Sequence, residues 1–299
     1  MKGRATEMNI NGKTSVCGLI GNPVEHTLSP LIHNTLAEKL SHNLVYVPFL
    51  VEGAGAEVEK AVKGAYELHI AGLNVTVPHK ENVIPCLKAI DPLAEKIGAV
   101  NTLVRMEGGY KGYNTDMTGL YRAMKSEGIG IEGEKILLLG AGGAARAVAF
   151  LCVSFGAKQV YLLNRTFEKA ERIAKEVSAK TGRDGITPMR LSDYRMLPQE
   201  KFLAIQCTSV GLYPDTEAAV ITEPDFYERI HTGYDLIYRP ADTKFMRLVK
   251  EAGGRAFHGL KMLLYQGIIA YELWNRVEVS EETAAEVYKK MKEEMGIEA

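Results

Sequence analysis

The sequence predicts an α/β protein of two α/β domains, and three observations lead there. Short apolar runs bounded by turn residues alternate with helical patterns along most of the chain, the order that builds parallel-sheet units. At 299 residues the chain is long for one domain and comfortable for two. The stretch from Lys135 to Arg165 reads as one complete strand–turn–helix–strand unit with a Gly-rich turn.

Within that stretch Ile136 to Leu139 is short and apolar enough for a buried strand. Gly140-Ala141-Gly142-Gly143-Ala144-Ala145 follows, then a helical pattern through Ala147, Val148, Leu151 and Cys152, closed by Gly156. Val160 to Leu163 is a second buried strand. Gly140 permits the tight turn, Gly142 lets the backbone approach a pyrophosphate, and Ala145 lets helix and strand pack closely. The helix N-terminus then offers unpaired N–H groups to the anion. A Gly-rich turn without a ligand is the plain alternative, and the two flanking strands favour dinucleotide binding over it.

An NAD enzyme usually carries Asp or Glu at the end of that second strand. This chain has Asn164-Arg165-Thr166. A guanidinium binds a 2′-phosphate through paired donors, where a carboxylate repels it. NADP(H) is therefore favoured over the alternative of a solvated arginine at a strand end.

Composition excludes several classes. The chain is 46% apolar and 24% charged with a net charge of −1, so nothing draws it to nucleic acid or an anionic membrane. No apolar run approaches the ~18 residues needed to span a bilayer. The first dozen residues lack an apolar signal-peptide core. Cys17, Cys86, Cys152 and Cys207 lie in apolar segments without a CxxC pair, as expected of free thiols in a cytoplasmic protein. The histidines show no metal-binding spacing, and no metal is expected.

Taken in order, Thr14 to Ile20 reads as a strand. Ser29-Pro30 reads as an N-cap and first-turn proline for a helix reaching Leu40. Leu44 to Leu50 is a strand, Val58 to Tyr66 an amphipathic helix, and Ile70 to Val77 a strand bent at Gly72. Pro78 then opens a helix to Leu87, placing Lys80 near a helix N-terminus where the dipole disfavours a cation. Lys80 is thus a functional group or a solvent-facing side chain. Ile97 to Val104 and Tyr110 to Tyr113 form a hairpin across Glu107-Gly108-Gly109. Asn114-Thr115-Asp116 caps a helix from Met117 to Lys125, which links to the second domain.

After Arg165 come a helix from Phe167 to Lys180 and strands at Ile186 to Leu191, Phe202 to Cys207 and Tyr234 to Tyr238. A helix from Lys244 to Lys250 and a strand from Arg255 to Phe257 complete that sheet. Gly259 leads into an apolar helix through Trp274 in which Gln266 is either a buried structural amide or a ligand contact. Glu281 to Met295 is an amphipathic cover.

Several of these segments, together and in this order, resemble the shikimate/quinate dehydrogenase family over nearly the whole chain. They are His26-Thr27-Leu28-Ser29-Pro30, Asn74-Val75-Thr76-Val77-Pro78-His79-Lys80, Gly98-Ala99-Val100-Asn101-Thr102 and Asn114-Thr115-Asp116. Gly140 to Gly143, Asn164-Arg165-Thr166, Asp235 to Pro240 and Gly259-x-x-Met262-Leu-x-x-Gln266 continue the series.

The resemblance implies two α/β domains separated by a cleft. Residues 1–115 with 260–299 would bind substrate and carry the catalytic residues, and 116–259 would form a Rossmann-like NADP-binding domain. It implies NADPH-dependent reduction of 3-dehydroshikimate to shikimate in aromatic amino-acid biosynthesis, with Lys80 and Asp116 as the catalytic pair. Thr27, Ser29, Thr76 and Tyr238 would hold the substrate carboxylate, and Asn101, Asp116 and Gln266 its ring hydroxyls. Gly140, Ala141, Gly142, Gly143 and Ala144 would form the pyrophosphate turn, with Asn164, Arg165 and Thr166 at the 2′-phosphate. Leu236, Gly259 and Met262 would lie near the nicotinamide. The expected partner is a small-molecule substrate, with a homodimer left open.

The chain departs from the family pattern twice. Thr27 stands where serine is common, which keeps the hydroxyl and adds a methyl that bears on the choice between shikimate and quinate. Ile205-Gln206-Cys207-Thr208-Ser209 replaces a more usual Asn-Ala-Thr-Ser, and puts any contact of that asparagine in doubt. The competing readings are a quinate/shikimate dehydrogenase of mixed cofactor use and a non-catalytic nucleotide sensor. A sensor would need neither Lys80 nor Asp116.

Overall fold

A computed structural model describes residues 10–297, and the chain divides into two compact units, one running to Leu120 and resuming at Leu263, the other spanning Tyr121–Met262. The elements of the first unit are β1 (Ser15–Gly21), α1 (Ser29–Lys39), β2 (Leu44–Leu50), α2 (Ala56–Glu67) and β3 (Gly72–Val75). Then come β4 (Ala89–Ile90), α3 (Pro92–Ile97), β5 (Thr102–Met106), β6 (Gly109–Tyr113) and α4 (Thr115–Ser126), which carries the chain onward. The second unit holds β7 (Lys135–Leu139), α5 (Gly143–Ser154), β8 (Gln159–Asn164), α6 (Phe167–Thr181), β9 (Ile186–Arg190) and β10 (Phe202–Gln206). It continues with α7 (Pro224–Tyr227), β11 (Ile230–Asp235), α8 (Lys244–Glu251) and β12 (Arg255–His258). Helix α9 (Leu260–Asn275) returns the chain to the first unit, where α10 (Glu281–Glu294) ends it.

The first sheet runs β2-β1-β3-β5-β6-β4. β1 pairs in parallel with β2 and β3, whereas β5 is antiparallel to both β3 and β6. One core packs Ile20, Val58, Val62, Leu73, Val75, Val83, Val100 and Leu103 with Tyr110. Trp274 of α9 lies so close over β3 that a Cβ on Gly72 would overlap its indole, and its Nε1–H donates to the Leu103 carbonyl at 2.9 Å.

The second sheet runs β12-β11-β10-β7-β8-β9 with every pair parallel. In order of appearance this is 6-5-4-1-2-3, the doubly wound arrangement whose strand order reverses beside its first strand. The reversal lies between β7 and β10, and the Gly140 turn leaves β7 at that point. Leu137, Leu139, Leu163, Phe202, Phe226, Phe245 and Val249 form its core.

Several expectations are corrected. The helix expected from Pro78 to Leu87 is absent: turns lead to a single 3₁₀ turn at Ile84–Cys86. Pro85 explains this, because a helix through it would lose an amide hydrogen bond and crowd the carbonyl four residues back. The expected strand from Ile97 begins only at Thr102, because Asp91 and Pro92 start α3, with Asp91 Oδ1 accepting the Leu93 N–H at 3.0 Å. β11 starts at Ile230 and ends at Asp235, leaving Tyr238 beyond the strand. Among the described residues no helix is long and apolar enough to cross a membrane.

Candidate active site

In the first unit, the turn after β3 and the first turn of α4 bring two charges together. Lys80 Nζ donates to Asp116 Oδ2 at 2.6 Å, with the side chains 32% and 23% exposed. The pair is therefore reachable by a ligand yet screened less than a surface ion pair. Lys80 does not sit at a helix N-terminus, so the unfavourable dipole inferred from the sequence does not exist. The turn is held by other means. The buried His79 Nε2 bonds the Val51 carbonyl at 2.8 Å, and the Lys80 carbonyl accepts the Val100 N–H at 2.9 Å.

Asp116 is not the cap of α4 either. The helix begins at Thr115, and Asn114 Oδ1 accepts the Met117 N–H at 3.3 Å. Asp116 is thereby free to face Asn101, whose Nδ2 donates to Asp116 Oδ1 at 2.9 Å. Asn101 is oriented by the Thr115 backbone N–H, which donates to its Oδ1 at 2.7 Å. A flipped amide would set oxygen against the carboxylate and an N–H against the backbone donor, so that one donor dictates the orientation.

Behind Asn101 lies a buried polar core that the sequence did not announce. Asn74 Nδ2 donates to Thr102 Oγ1 at 3.1 Å and to the Asn101 carbonyl at 3.3 Å. Its Oδ1 accepts from the Tyr46 hydroxyl at 2.8 Å and meets His33 Nε2 at 3.1 Å. Burial holds His33 neutral, its pKa pushed down to about 3, which fits an uncharged Nε2–H donor stacked on Tyr46.

Thr27 and Ser29 form a second polar group at the start of α1. Thr27 Oγ1 donates to Ser29 Oγ at 3.0 Å and accepts the Ser29 N–H at 3.2 Å. Ser29 is the first helical residue rather than the N-cap, since Leu28 occupies the cap without a side-chain bond. Thr76, just beyond β3, packs against Gly21 so tightly that any Cβ there would overlap its methyl. Gln266 is 9% exposed, and its Nε2 donates to the Leu263 carbonyl at 3.0 Å. Gly119 allows the close approach of α4 to α9: a Cβ on it would lie 2.6 Å from the Gln266 nitrogen.

The second unit carries the Gly-rich turn that the sequence reading assigns to a pyrophosphate. Gly140 has φ +107, and a Cβ there would lie 2.7 Å from Thr208 Cγ2. Gly142 and Gly143 have no atom within 4 Å of where a Cβ would stand. Gly142 is the N-cap of α5 and has no side chain to bond the first N–H groups of the helix, and residues 142–144 are exposed. Ala145 is fully buried. A tight turn, an uncapped helix start and an open approach fit a pyrophosphate.

Asn164 ends β8, and its Nδ2 donates to the Thr166 carbonyl at 2.8 Å. That bond shapes the turn and leaves Arg165 and Thr166 exposed at the start of α6. Leu236 and Tyr238 are half-buried on the segment after β11, and Met262 lies in the first turn of α9. The Leu236 N–H donates to the Gln206 carbonyl at 3.0 Å, and the Gly259 N–H to the Ile237 carbonyl at 3.0 Å. A Cβ on Gly259 would overlap the Leu236 carbonyl. Among the described residues no cluster of metal-ligating side chains occurs.

Comparison with known proteins bears on both units. Residues 19–103 match the family described as shikimate dehydrogenase substrate binding domain, and residues 123–210 the family described as shikimate / quinate 5-dehydrogenase. A shikimate dehydrogenase (NADP(+)) from Desulforamulus reducens is 43% identical over 89% of this chain and 91% of its own. The crystal structure of shikimate 5-dehydrogenase from Listeria monocytogenes, in complex with shikimate and NAD, superposes with a TM-score of 0.85 at 32% identity. It covers 93% of this chain and 97% of its own. The enzyme from Thermus thermophilus, solved with NADP(H) and shikimate, gives a TM-score of 0.79 at 32% identity over 93% and 99% of the two chains.

Proposed function

The chain belongs to the shikimate dehydrogenase family, and on that premise we propose that Lys80 and Asp116 carry the NADPH-dependent reduction of 3-dehydroshikimate to shikimate. The observation that carries this reading is the 2.6 Å ion pair between Lys80 Nζ and Asp116 Oδ2. Its second carboxylate oxygen is engaged by Asn101.

The cofactor supplies hydride to the C3 carbonyl, whose oxygen gains negative charge. An ammonium beside that oxygen stabilises the charge and delivers the proton. Asp116 holds the Lys80 ammonium in place, and Asn101 keeps Asp116 Oδ1 occupied so that Oδ2 is the oxygen facing the lysine. Thr27, Ser29 and Thr76, with Tyr238, present hydroxyls to the substrate carboxylate, while Asn101, Asp116 and Gln266 address its ring hydroxyls. Gly140 to Ala144 hold the pyrophosphate on backbone N–H groups, and Arg165, flanked by Asn164 and Thr166, meets the 2′-phosphate. Leu236, Gly259 and Met262 border the nicotinamide. Four cysteines without a disulfide fit a cytoplasmic setting.

The test is Lys80→Met, assayed by NADP⁺ reduction with shikimate. kcat should fall by about 10²–10⁴-fold, the usual contribution of a positioned general acid. The NADPH dissociation constant should stay unchanged. Near-normal turnover would refute the assignment of Lys80.

A further inference from the structure

At the carboxyl ends of three adjacent strands of the second sheet, Gln206, Asp235 and His258 stand in register on β10, β11 and β12. Asp235 is fully buried, and among the described residues no cation is bonded to it. Its Oδ2 accepts from Thr243 Oγ1 at 2.7 Å. Its Oδ1 accepts from the Ile237 N–H at 3.0 Å and from Gln206 Nε2 at 3.3 Å. Gln206, the residue at the departure from the family pattern, is itself 1% exposed. Its Oε1 accepts the Thr208 N–H, and its Nε2 reaches the Val210 carbonyl at 3.2 Å. At the departure from the family pattern, the longer amide thus makes contacts of its own.

These bonds tie together two turns. One is the segment after β10, which includes Thr208, the neighbour of the Gly140 turn. The other is the segment after β11, which carries Leu236 and Tyr238 and leads to Thr243, whose Oγ1 also caps α8 by accepting the Met246 N–H at 3.3 Å. A buried carboxylate without a cation is costly, and the geometry it imposes on the rim accounts for its presence.

We propose that Asp235, acting with Gln206 and Thr243, is a positioning residue for the nicotinamide half of the cofactor. The proposal rests on the assignment of Leu236 and Gly259 to that half. Burial pushes the Asp235 carboxyl up to about 6, against which the bonds from Thr243, Ile237 and Gln206 act. Burial raises Cys207 and Tyr227, and lowers His258, whose Nδ1 takes the Leu260 N–H at 3.2 Å. Asp242, beside Thr243, is paired with Lys250 at 2.8 Å. Above pH 6 the carboxylate accepts all three bonds. Once protonated, it turns from acceptor to donor toward Thr243, whose own proton loses its partner.

The experiment compares wild type, Asp235→Asn and Asp235→Ala as full chains. NADPH and 2′-phospho-ADP-ribose dissociation constants are measured by calorimetry from pH 5 to pH 8. 2′-Phospho-ADP-ribose carries the same 2′-phosphate, which titrates near pH 6, and the same pyrophosphate diester as NADPH, so the ratio of the two constants cancels both and isolates the nicotinamide. In wild type this ratio should rise roughly three- to tenfold as pH falls through about 6, on the scale of a lost bond to a charged group. Asp235→Asn, neutral at every pH, should hold the ratio flat at its low-pH value. Asp235→Ala should raise the ratio by about tenfold or more at pH 8 while 2′-phospho-ADP-ribose binding persists. A flat wild-type ratio, or an Asp235→Asn ratio that tracks wild type, overturns the proposal. If Asp235→Ala does not fold, the Asp235→Asn course still decides. Failure of wild type to bind NADPH would instead overturn the reading of the site.

Discussion

The two units prepare their ligand sites by opposite means. In the first, the proposed function rests on side chains whose hydrogen bonds are already made: Lys80 to Asp116, Asp116 to Asn101, Asn101 to the Thr115 backbone. In the second, the proposed nucleotide turn is defined by what is missing. Gly142 and Gly143 face empty space, and α5 starts without a side-chain cap. Side chains deliver charge and protons to a reacting carbonyl, whereas a pyrophosphate is held by backbone donors that any bulk would shield. Substitutions should therefore act in opposite directions. Removing a functional group disables the first unit, and adding atoms disables the second.

The largest contrast is expected between two glycines of the same turn, Gly140 and Gly142. Gly142→Val places its side chain where the structure holds nothing within 4 Å, so melting temperature should change little. The NADPH dissociation constant should rise by about 10–100-fold, because the added methyls occupy the approach to the α5 N-terminus. Gly140→Ala should do the reverse in part, since its φ of +107 and the 2.7 Å approach to Thr208 strain the fold itself. Calorimetric melting beside NADPH titration separates the two. If Gly142→Val bound NADPH normally, the turn would not be the pyrophosphate site.

Arg165 is the exception that sharpens the comparison, a charged side chain in the unit otherwise built on backbone. It is exposed, and the bond from Asn164 to the Thr166 carbonyl shapes the turn without involving its guanidinium. Arg165→Ala should leave the fold intact and raise the KM for NADPH by roughly tenfold, the worth of one charge-assisted contact. The KM for shikimate should hardly move. Steady-state kinetics with each substrate varied in turn measures this, and an unchanged KM for NADPH would remove Arg165 from the 2′-phosphate site.

The same contrast explains what was legible in the sequence. The Gly140 turn could be read because its requirements are local: a positive φ, a strand before it and a helix after it. Lys80 and Asp116 could be placed near each other only through the family resemblance, because 36 residues separate the pair. The helix expected to carry Lys80 failed at Pro85, a breaker visible in the sequence. Asp91-Pro92, a cap and first-turn pair, likewise announced α3. No local pattern announced His79 pinning the Lys80 turn to Val51, or Asn74 joining Tyr46, His33 and Thr102. Those partners meet through sheet pairing of distant strands. Gln206 was legible near the end of its strand, whereas Asp235 was expected inside a strand from Tyr234 to Tyr238 and instead ends β11, and their bond depends on a register only the folded sheet supplies.

The smallest effect tests the first unit's side of the comparison at Thr27. Its hydroxyl makes two bonds at once, donating to Ser29 Oγ at 3.0 Å and accepting the Ser29 N–H at 3.2 Å. Thr27→Ser keeps both and removes only a methyl, so the KM for shikimate should stay within about threefold of wild type. Thr27→Val keeps the shape and removes the hydroxyl. It leaves the Ser29 N–H without its acceptor and takes one donor from the substrate carboxylate, so KM should rise by about tenfold. The serine variant also reads the role of the methyl directly: if that group excludes the bulkier quinate, quinate turnover should rise in Thr27→Ser and not in Thr27→Val. A Thr27→Val enzyme with wild-type KM would show that shape, not hydrogen bonding, governs this end of the site, and the division between the two units would not hold there.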